Sequence, residues 1–186
     1  MKRAGVILAI EFLLLAFYAG SALAFFRYSQ DFILASRSQT LPPLEMGETV
    51  ALASSGPDDG MLLGGWTRET AGIRAGNARP ELALRLPRDA AAITFSGEFA
   101  FSPQGGQHID VLLDGHALAT IEASGPPGTH ACRWSLVLPP ADRDISVLTF
   151  AIVTPARFVL ETLALADQPE ETTCAGGAKL SIGALS

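Results

Sequence analysis

An apolar run near the N-terminus leaves few choices for how the first part of this chain can fold. Between Ala4 and Phe26 the only charged residue is Glu11, and most of the other residues are Leu, Ile, Val, Phe or Ala. A helix rises about 1.5 Å per residue, so a run of this length extends about 34 Å, and the hydrocarbon core of a bilayer is about 30 Å thick. The run therefore predicts one transmembrane helix, with a cytoplasmic tip and anchor over residues 1–27.

The same segment has some features of a cleaved signal peptide. Lys2 and Arg3 precede the apolar run, and Ala22-Leu23-Ala24 offers a small-x-small cleavage site. Apolar regions of signal peptides are about 7–15 residues long, which is shorter than this run, so we favour an uncleaved anchor and leave cleavage after residue 24 open. In both cases the basic start holds the N-terminus in the cytoplasm and places the rest of the chain outside it.

Glu11 is the one charge inside the predicted span. A charged residue at the centre of a span costs about 3 kcal/mol on insertion scales, and each Leu, Ile, Val or Phe returns about 0.3–0.6 kcal/mol, so the run still inserts. Intramembrane carboxylates usually face the interior of a helix bundle, and a single span has no bundle of its own. Glu11 is therefore a candidate contact to a helix of a polytopic partner; a glutamate that snorkels to the interface is the alternative.

Strand patterns with closely spaced turn signals dominate the rest of the sequence after a polar juxtamembrane linker over residues 28–45. Apolar side chains alternate along several segments, and Asp114-Gly115 between two apolar runs is a strong signal for a two-residue hairpin. About eight short strands with Gly- and Pro-rich turns predict an all-β fold, an antiparallel, jelly-roll-like β-sandwich over residues 46–186. The segment RFVLETLALAD (residues 157–167) is compatible with a short helix or a bent strand.

Two cysteines lie in the part of the chain predicted to be outside the cytoplasm. Cys132 and Cys174 allow one internal disulfide, which would persist in such a compartment. In the chain-entropy model this bridge would stabilise the fold by about 4 kcal/mol. Two buried thiols are the alternative.

Charge narrows the range of partners. Lys2, Arg3 and Arg27 of the thirteen basic residues, and Glu11 of the nineteen acidic ones, precede Tyr28, so the remainder carries a net charge of −8. Nucleic-acid binding requires a basic face, and anionic lipid headgroups would be repelled by this charge. We therefore predict no nucleic-acid partner.

The sequence contains no motif for catalysis or cofactor binding that we recognise. It has no Gly-x-Ser-x-Gly elbow, no phosphate-binding loop and no dinucleotide fingerprint. Its three histidines are spaced like no common metal site. We therefore expect no cofactor, no metal and no enzymatic activity.

One segment, Leu62 to Gly76, carries more information than a scaffold needs. It contains Gly65, Trp66, Glu69 and Gly72, follows a Met46-Gly47-Glu48 opening, and precedes an alternating strand that ends in Leu86-Pro87. Gln107, Val111 and the Asp114-Gly115 hairpin come next, and Leu138-Pro139 and Thr154-Pro155 follow. In this order the motifs resemble a β-sandwich domain that forms the extracytoplasmic appendage of bacterial polytopic sugar-transferase or phosphoglycerol-transferase-like membrane proteins. The chain departs from that pattern at Ile73-Arg74, where the family often has a second aromatic residue, and over residues 166–177.

Trp66 can be interpreted in three ways. Its indole could cap one end of the sandwich core, with Glu69 and Arg74 as an ordinary surface ion pair. It could instead stack on a sugar ring while Glu69, Arg74 and Gln107 bond to hydroxyl groups, since an aromatic platform with a few convergent polar groups makes such a site. The segment could also be a protein-docking surface. Trp66, Glu69, Arg74 and Gln107 are thus the candidate ligand-binding residues.

The resemblance and the predicted anchor together imply a function in the cell envelope. We expect a non-enzymatic single-pass protein of the bacterial inner membrane, with a cytoplasmic N-terminus and a periplasmic or extracellular sandwich. It would be an accessory subunit of a membrane glycan-assembly or glycosyltransferase complex, docking on a polytopic partner or on the glycan. The alternatives are a freestanding carbohydrate-binding or adhesion module, and a hydrolase or transferase whose site no motif reveals.

Overall fold

The computed structural model describes residues 11–25, 41–53, 60–103, 105–141, 143–154 and 157–184. The chain divides into two compact units, Met1–Gln39 and Thr40–Ser186. The second unit thus begins at Thr40, whereas the sequence prediction starts the sandwich at Met46. The added residues belong to the fold, because Leu41 and Leu44 are buried and the Leu44 amide donates a hydrogen bond to the Arg85 carbonyl oxygen at 3.3 Å.

In the first unit, residues 11–25 form a helix, and every one of them is exposed. Phe12, Phe17 and Phe25 each have at least 69% of their surface exposed. Within the described part of the chain, no helix is both long enough and apolar enough to span a membrane. Residues 4–10 and 26 of the predicted span lie outside the described residues.

The second unit consists of strands, as the alternating sequence patterns predict. Their bounds are β1 Thr49–Ala51, β2 Leu62–Gly64, β3 Trp66–Arg68, β4 Ile73–Ala75, β5 Glu81–Leu84, β6 Ala92–Phe101, β7 Gln107–Leu113, β8 His116–Ser124, β9 Gly128–Val137, β10 Ser146–Ile152, β11 Phe158–Ala166, β12 Thr173–Cys174 and β13 Lys179–Ala184.

These strands form two antiparallel sheets. The first sheet has the order β12-β9-β6-β11-β4-β3, with β1 also paired to β11, and the second has the order β13-β8-β7-β10-β5-β2. Aromatic rings from the two sheets meet between them: Phe150 of β10 lies 5.8 Å from Phe95 of β6 and 5.6 Å from Phe158 of β11, measured between ring centroids. The prediction of an antiparallel β-sandwich is confirmed.

The core contains the apolar alternations that the sequence shows. In β6 the inward positions Ile93, Phe95 and Phe99 are fully buried. Trp134 of β9 is fully buried as well and stacks on Phe95, with 5.7 Å between ring centroids. Period-2 alternation therefore identified the inner faces of the longest strands correctly.

The predicted hairpin at Asp114-Gly115 is present between β7 and β8, with Leu113 paired to His116. Asp114 has a φ of 52° and Gly115 a φ of 81°, the left-handed pair that a type I′ turn requires. The Asp114 carboxylate also accepts a hydrogen bond from the Val147 amide of β10 at 2.8 Å, which fixes the turn to the neighbouring strand.

The ambiguous segment over residues 157–167 is a bent strand. A bulge between Leu160 and Thr162 interrupts the pairing of β11 with β6 and leaves Glu161 as the extra residue. The turn between β3 and β4 packs against this bulge, because a Cβ atom at Gly72 would overlap the Leu160 carbonyl oxygen. Gly72, one of the glycines in the Trp66 segment, therefore permits a close approach of two backbones.

Candidate functional site

Trp66 lies at the start of β3 and faces the interior of the sandwich. Its indole is partly buried and contacts Phe150 and Phe158, with ring centroids 5.8 and 6.3 Å away. The indole Nε1 donates a hydrogen bond to the Glu81 carbonyl oxygen at 2.9 Å. This is the geometry expected of a side chain that caps the end of the core, the first of the three interpretations.

Gly65, the residue before Trp66, adopts a backbone conformation that favours glycine. Its φ is +75°, a conformation that residues with a Cβ atom rarely adopt, and a Cβ atom there would lie 2.5 Å from the Asn77 side-chain oxygen. The Asn77 oxygen in turn accepts a hydrogen bond from the Arg79 amide at 2.8 Å. The glycine before Trp66 thus serves the packing of the β4–β5 loop against β3.

Glu69 is the centre of a charged cluster on the outer side of the first sheet. Its carboxylate lies 2.7 Å from Arg74 Nε and 2.6 Å from Arg157 Nη2. The contact with Arg157 is forked, since Nη1 also donates at 3.4 Å, whereas Arg74 Nε makes a close contact without an aligned hydrogen bond. We call Glu69, Arg74 and Arg157 the Glu69 cluster.

No sequence pattern indicated Arg157 as part of this cluster. It lies 88 residues from Glu69 in the chain, immediately before β11, so no local motif connects the two. Only the pairing of β4 with β11, in which Val159 faces Arg74, brings the end of the β3–β4 hairpin next to residue 157.

Gln107, the fourth candidate, is 3% exposed and lies between the two sheets. From the start of β7 its side-chain Nε2 donates to the carbonyl oxygens of Ala100, at 2.5 Å, and Arg157, at 3.2 Å. Its Oε1 is buried and has no hydrogen-bond partner among the described residues. Gln107 therefore connects to the Glu69 cluster only through the backbone of Arg157.

The four candidates do not form one solvent-facing platform. Trp66 pairs with Ala75 and Thr67 with Arg74, so Trp66 and Arg74 are on opposite faces of the sheet. The structure brings Glu69 and Arg74 together, places Gln107 inside the sandwich, and turns Trp66 towards the core.

A carboxylate pair lies on the same outer face. The bulge in β11 brings Glu161 close to Glu98 of β6, and burial followed by repulsion from the Glu98 carboxylate raises the pKa of Glu161 above its ordinary value of 4.5. Among the described residues, no group of three or more His, Cys, Asp or Glu side chains is arranged to hold a metal ion.

The predicted disulfide is present between Cys132 of β9 and Cys174 of β12. The two residues are direct cross-strand partners, and Thr173 pairs with Arg133 beside them. Because β12 has only two residues, the covalent bond is a major part of what holds it to the first sheet. The turn that follows leads directly to β13 at the edge of the second sheet.

A groove that sequence analysis missed lies beside this turn. Its volume is about 750 Å³, and it is lined by residues 106–108 of β7 and the preceding loop, residues 122–124 of β8, and residues 172, 174 and 178–181 around β12 and β13. Pockets of about 300–1,000 Å³ are typical of small-ligand sites. Three segments separated by many residues form this groove, which explains why no motif indicated it.

Glu11, the candidate contact to a partner helix, begins the described part of the helix and is exposed. Its side chain belongs to the first unit, and the described residues contain no bundle of helices around it. Its assignment to a partner remains a prediction.

Comparison with known proteins returns little. No family model matches the chain, and no curated protein matches it. Among solved structures, the catalytic unit of a thermostable GH87 alpha-1,3-glucanase from Streptomyces thermodiastaticus strain HF3-3 is similar, with 13% identity and a TM-score of 0.41. The match covers 66% of this chain and 26% of that one. Functional assignment therefore depends on the residues of this chain.

Proposed function

We propose that this chain is a non-enzymatic, single-pass membrane protein and an accessory subunit of a membrane complex that assembles glycans. In this proposal a jelly-roll-like sandwich stands outside the cytoplasm and the N-terminal helix anchors it in the bacterial inner membrane. The observation that carries the proposal is the helix over residues 11–25, which exposes apolar side chains on all sides.

An exposed helix of this composition requires an apolar environment around its side chains. Residues 12–25 contain no charged side chain, and every one of them is exposed. Soluble monomers rarely expose contiguous apolar patches of more than a few hundred Å². A protein surface covers one side of a helix, whereas a bilayer covers all sides, and residues 4–10 continue the apolar run towards Lys2 and Arg3. The Cys132–Cys174 disulfide agrees with a second unit that matures in an oxidising compartment.

Glu11 supports the choice of an accessory subunit over a simple anchor. A carboxylate within a span is stabilised by a polar partner, and a single span can obtain one only from another protein. The proposed partner is a polytopic protein whose helix carries a hydrogen-bond donor or a basic residue at the depth of Glu11.

The test uses photo-crosslinking from within the helix in intact membranes. A crosslinking amino acid at residue 11 should capture a polytopic glycan-assembly protein that mass spectrometry identifies. The matched control is a crosslinker at Gly20, which lies nine residues, or two and a half turns, further on and so faces the opposite side. Equal capture from both positions would indicate that Glu11 snorkels to the membrane interface and contacts no partner helix. If carbonate extracts the whole chain from the membrane, the proposed anchor is wrong.

A freestanding carbohydrate-binding module is the second candidate, and the groove at the edge of the second sheet favours it. Its 750 Å³ are lined by both polar and apolar residues, among them Gln107, Thr172 and Leu180. Under this candidate the full chain in detergent binds immobilised glycans without any partner. A protein that crosslinks to its partner and binds no glycan would leave only the first candidate.

A further inference from the structure

Strand β13 differs from the other strands that end the two sheets. The first sheet ends in β12 and β3, and the second ends in β2 and β13. Strands β12, β3 and β2 have two or three residues each, and a register shift interrupts the pairing of β2 with β5. In contrast, β13 has six residues and pairs with β8 without interruption. Short or irregular end strands protect a sheet against further pairing, so of these four ends β13 is the one that presents a regular edge to another strand.

The inward side of β13 is only partly covered. Leu180 and Ile182 are half-buried, whereas the residues they pair with on β8, Ala123 and Ile121, are buried. Among the described strands none follows β13 in the sheet, and the groove opens beside it, with Leu180 and Cys174 in its lining. A further strand next to β13 would direct its inward side chains over this opening and cover Leu180 and Ile182.

We propose that the missing neighbour is β13 of a second copy of this chain, paired antiparallel about a two-fold axis at Ser181. In this register Ser181 lies opposite Ser181 of the second copy, and Leu180 lies opposite Ile182 on the inner side, twice by symmetry. The two six-stranded sheets would then form one continuous sheet. This inference concerns the assembly of the chain with itself and goes beyond the proposed function.

The sequence of β13 is complementary to itself in this register. Each large apolar side chain on the inner side meets another, and the two Ser181 hydroxyls can donate and accept hydrogen bonds between them. Lys179 is the only charged residue of β13, and it lies opposite Gly183 of the second copy rather than opposite the second Lys179. A Cβ atom at Gly183 would meet nothing within 4 Å, so the lysine can extend over it towards the exposed Glu122 of the facing copy.

The resulting interface is small. Five residues of each copy, 179–183, pair in this register, which is far less than the surface of a standard interface of about 1,600 Å². We therefore expect a reversible dimer, for which covalent trapping is a suitable readout.

The first experiment traps the dimer through cysteines in the full chain in detergent. Cβ atoms of directly opposed residues are about 4.5–5.5 Å apart, so Ser181→Cys places two thiols at the axis within reach of a disulfide. Gly183→Cys is the matched control, because it lies on the same face of the same strand but is separated from its own copy by four positions, about 13 Å along the strands. Non-reducing electrophoresis after mild oxidation measures the covalent dimer.

The second experiment exchanges charges at the axis. Ser181 is exposed, so the fold should tolerate Ser181→Lys and Ser181→Glu. Each variant alone sets two like charges opposite each other and should weaken the dimer about fivefold, whereas an equimolar mixture sets opposite charges there and should restore it. Thr49→Lys and Thr49→Glu, at an exposed position of β1 in the first sheet, are the controls. Sedimentation velocity over a range of concentrations measures the dimer fraction.

The expected result is a covalent dimer from Ser181→Cys and little from Gly183→Cys, with a noncovalent dimer that the charge variants weaken and their mixture restores. Equal trapping at both positions would overturn the proposed register, and a wild-type chain that is monomeric at every concentration would overturn the dimer. A dimer that ignores changes at residue 181 would also overturn the proposal, because its contact then lies elsewhere, for example in the N-terminal helix. Photo-crosslinking from residue 11 to a polytopic protein is independent of these outcomes, so the proposed function is tested separately.

Discussion

The Glu69 cluster and the groove are both polar regions of one sandwich, yet the protein uses them differently. In the cluster, one carboxylate holds two guanidinium groups at 2.6 and 2.7 Å, and these contacts join the β3–β4 hairpin to the chain before β11. Around the groove, Lys179, Ser124 and Ser181 are exposed, on the face of β8 and β13 opposite to Ala123 and Leu180. The charges of the cluster therefore serve the fold, whereas these exposed side chains remain in contact with solvent.

Of the changes considered, removing the disulfide should lower the free energy of unfolding most, and the disulfide lies beside the groove. Replacing Cys132 and Cys174 together by alanine opens a loop of 42 residues, which costs about 4 kcal/mol of unfolding free energy in the chain-entropy model. Urea denaturation of wild type with and without reductant measures this cost. The double variant is its own control, because reductant should leave its midpoint unchanged. A loss below 1 kcal/mol would show that β12 is held mainly by its backbone pairing.

Truncating Trp66 should have the next largest effect on stability, and it tests the core packing behind the strand that carries Arg74. Trp66→Ala removes an indole packed on Phe150 and Phe158 and leaves the Glu81 carbonyl without its donor, at a cost of about 3 kcal/mol, the low end for aromatic truncations because the ring is only partly buried. Trp66→Phe keeps most of the packing and should lose less. Saccharide binding should survive both changes after correction for stability. A Trp66→Ala variant of normal stability that no longer binds sugar would reverse the comparison and restore Trp66 as a sugar platform.

Glu69→Gln should lower the free energy of unfolding by less than either of these changes. The carboxylate is 25% exposed and both arginines are more than 40% exposed, so solvent screens the ion pairs and the expected loss is about 1 kcal/mol. The loss should shrink in 1 M salt, where the Debye length is about 3 Å. Glu171→Gln, at an exposed position outside both regions, is the control and should behave like wild type. A Glu69→Gln variant that keeps full stability but loses ligand binding would move the cluster from the fold to the function.

The larger elements of the fold could be predicted because burial follows a period of two in them. The alternation of β6 and β9 and the Asp-Gly turn between β7 and β8 are local signals, and each identified its element. The pattern in β11 was ambiguous for a definite reason: the bulge at Glu161 changes the spacing of inward residues, so Phe158, Leu160, Leu163 and Leu165 are separated by two, three and two positions. Such spacing matches neither the strict period of two of a strand nor the three- and four-residue steps of a helix face.

The Glu69 cluster and the groove were much harder to predict from the sequence than the fold. Strands β3, β4 and β12 have two or three residues each, too few to show an alternation, and they lie beside the Glu69 cluster or the groove. Arg157 and the groove depend on pairings between distant segments. The Gly-Trp-x-x-Glu-x-x-Gly spacing has a structural reason, since Gly65 and Gly72 permit close backbone contacts there. A conspicuous motif thus marked a packing requirement, while the open groove carried no motif.

The smallest expected effect is a pH dependence of stability that arises from Glu161, the extra residue of the bulge in β11. Burial and the Glu98 carboxylate raise the pKa of Glu161 above 4.5, so between 4.5 and the raised value the folded state binds more protons than the unfolded state. The stability contributed by protonated Glu161 is fully present below pH 4.5 and is lost as pH rises through the raised pKa. Glu161→Gln cannot lose a proton and should therefore gain stability relative to wild type across that interval. Urea midpoints measured from pH 4 to pH 7 would show the two curves separating as pH rises. If they remain parallel, the Glu161 carboxylate is as well solvated in the folded protein as in the unfolded chain.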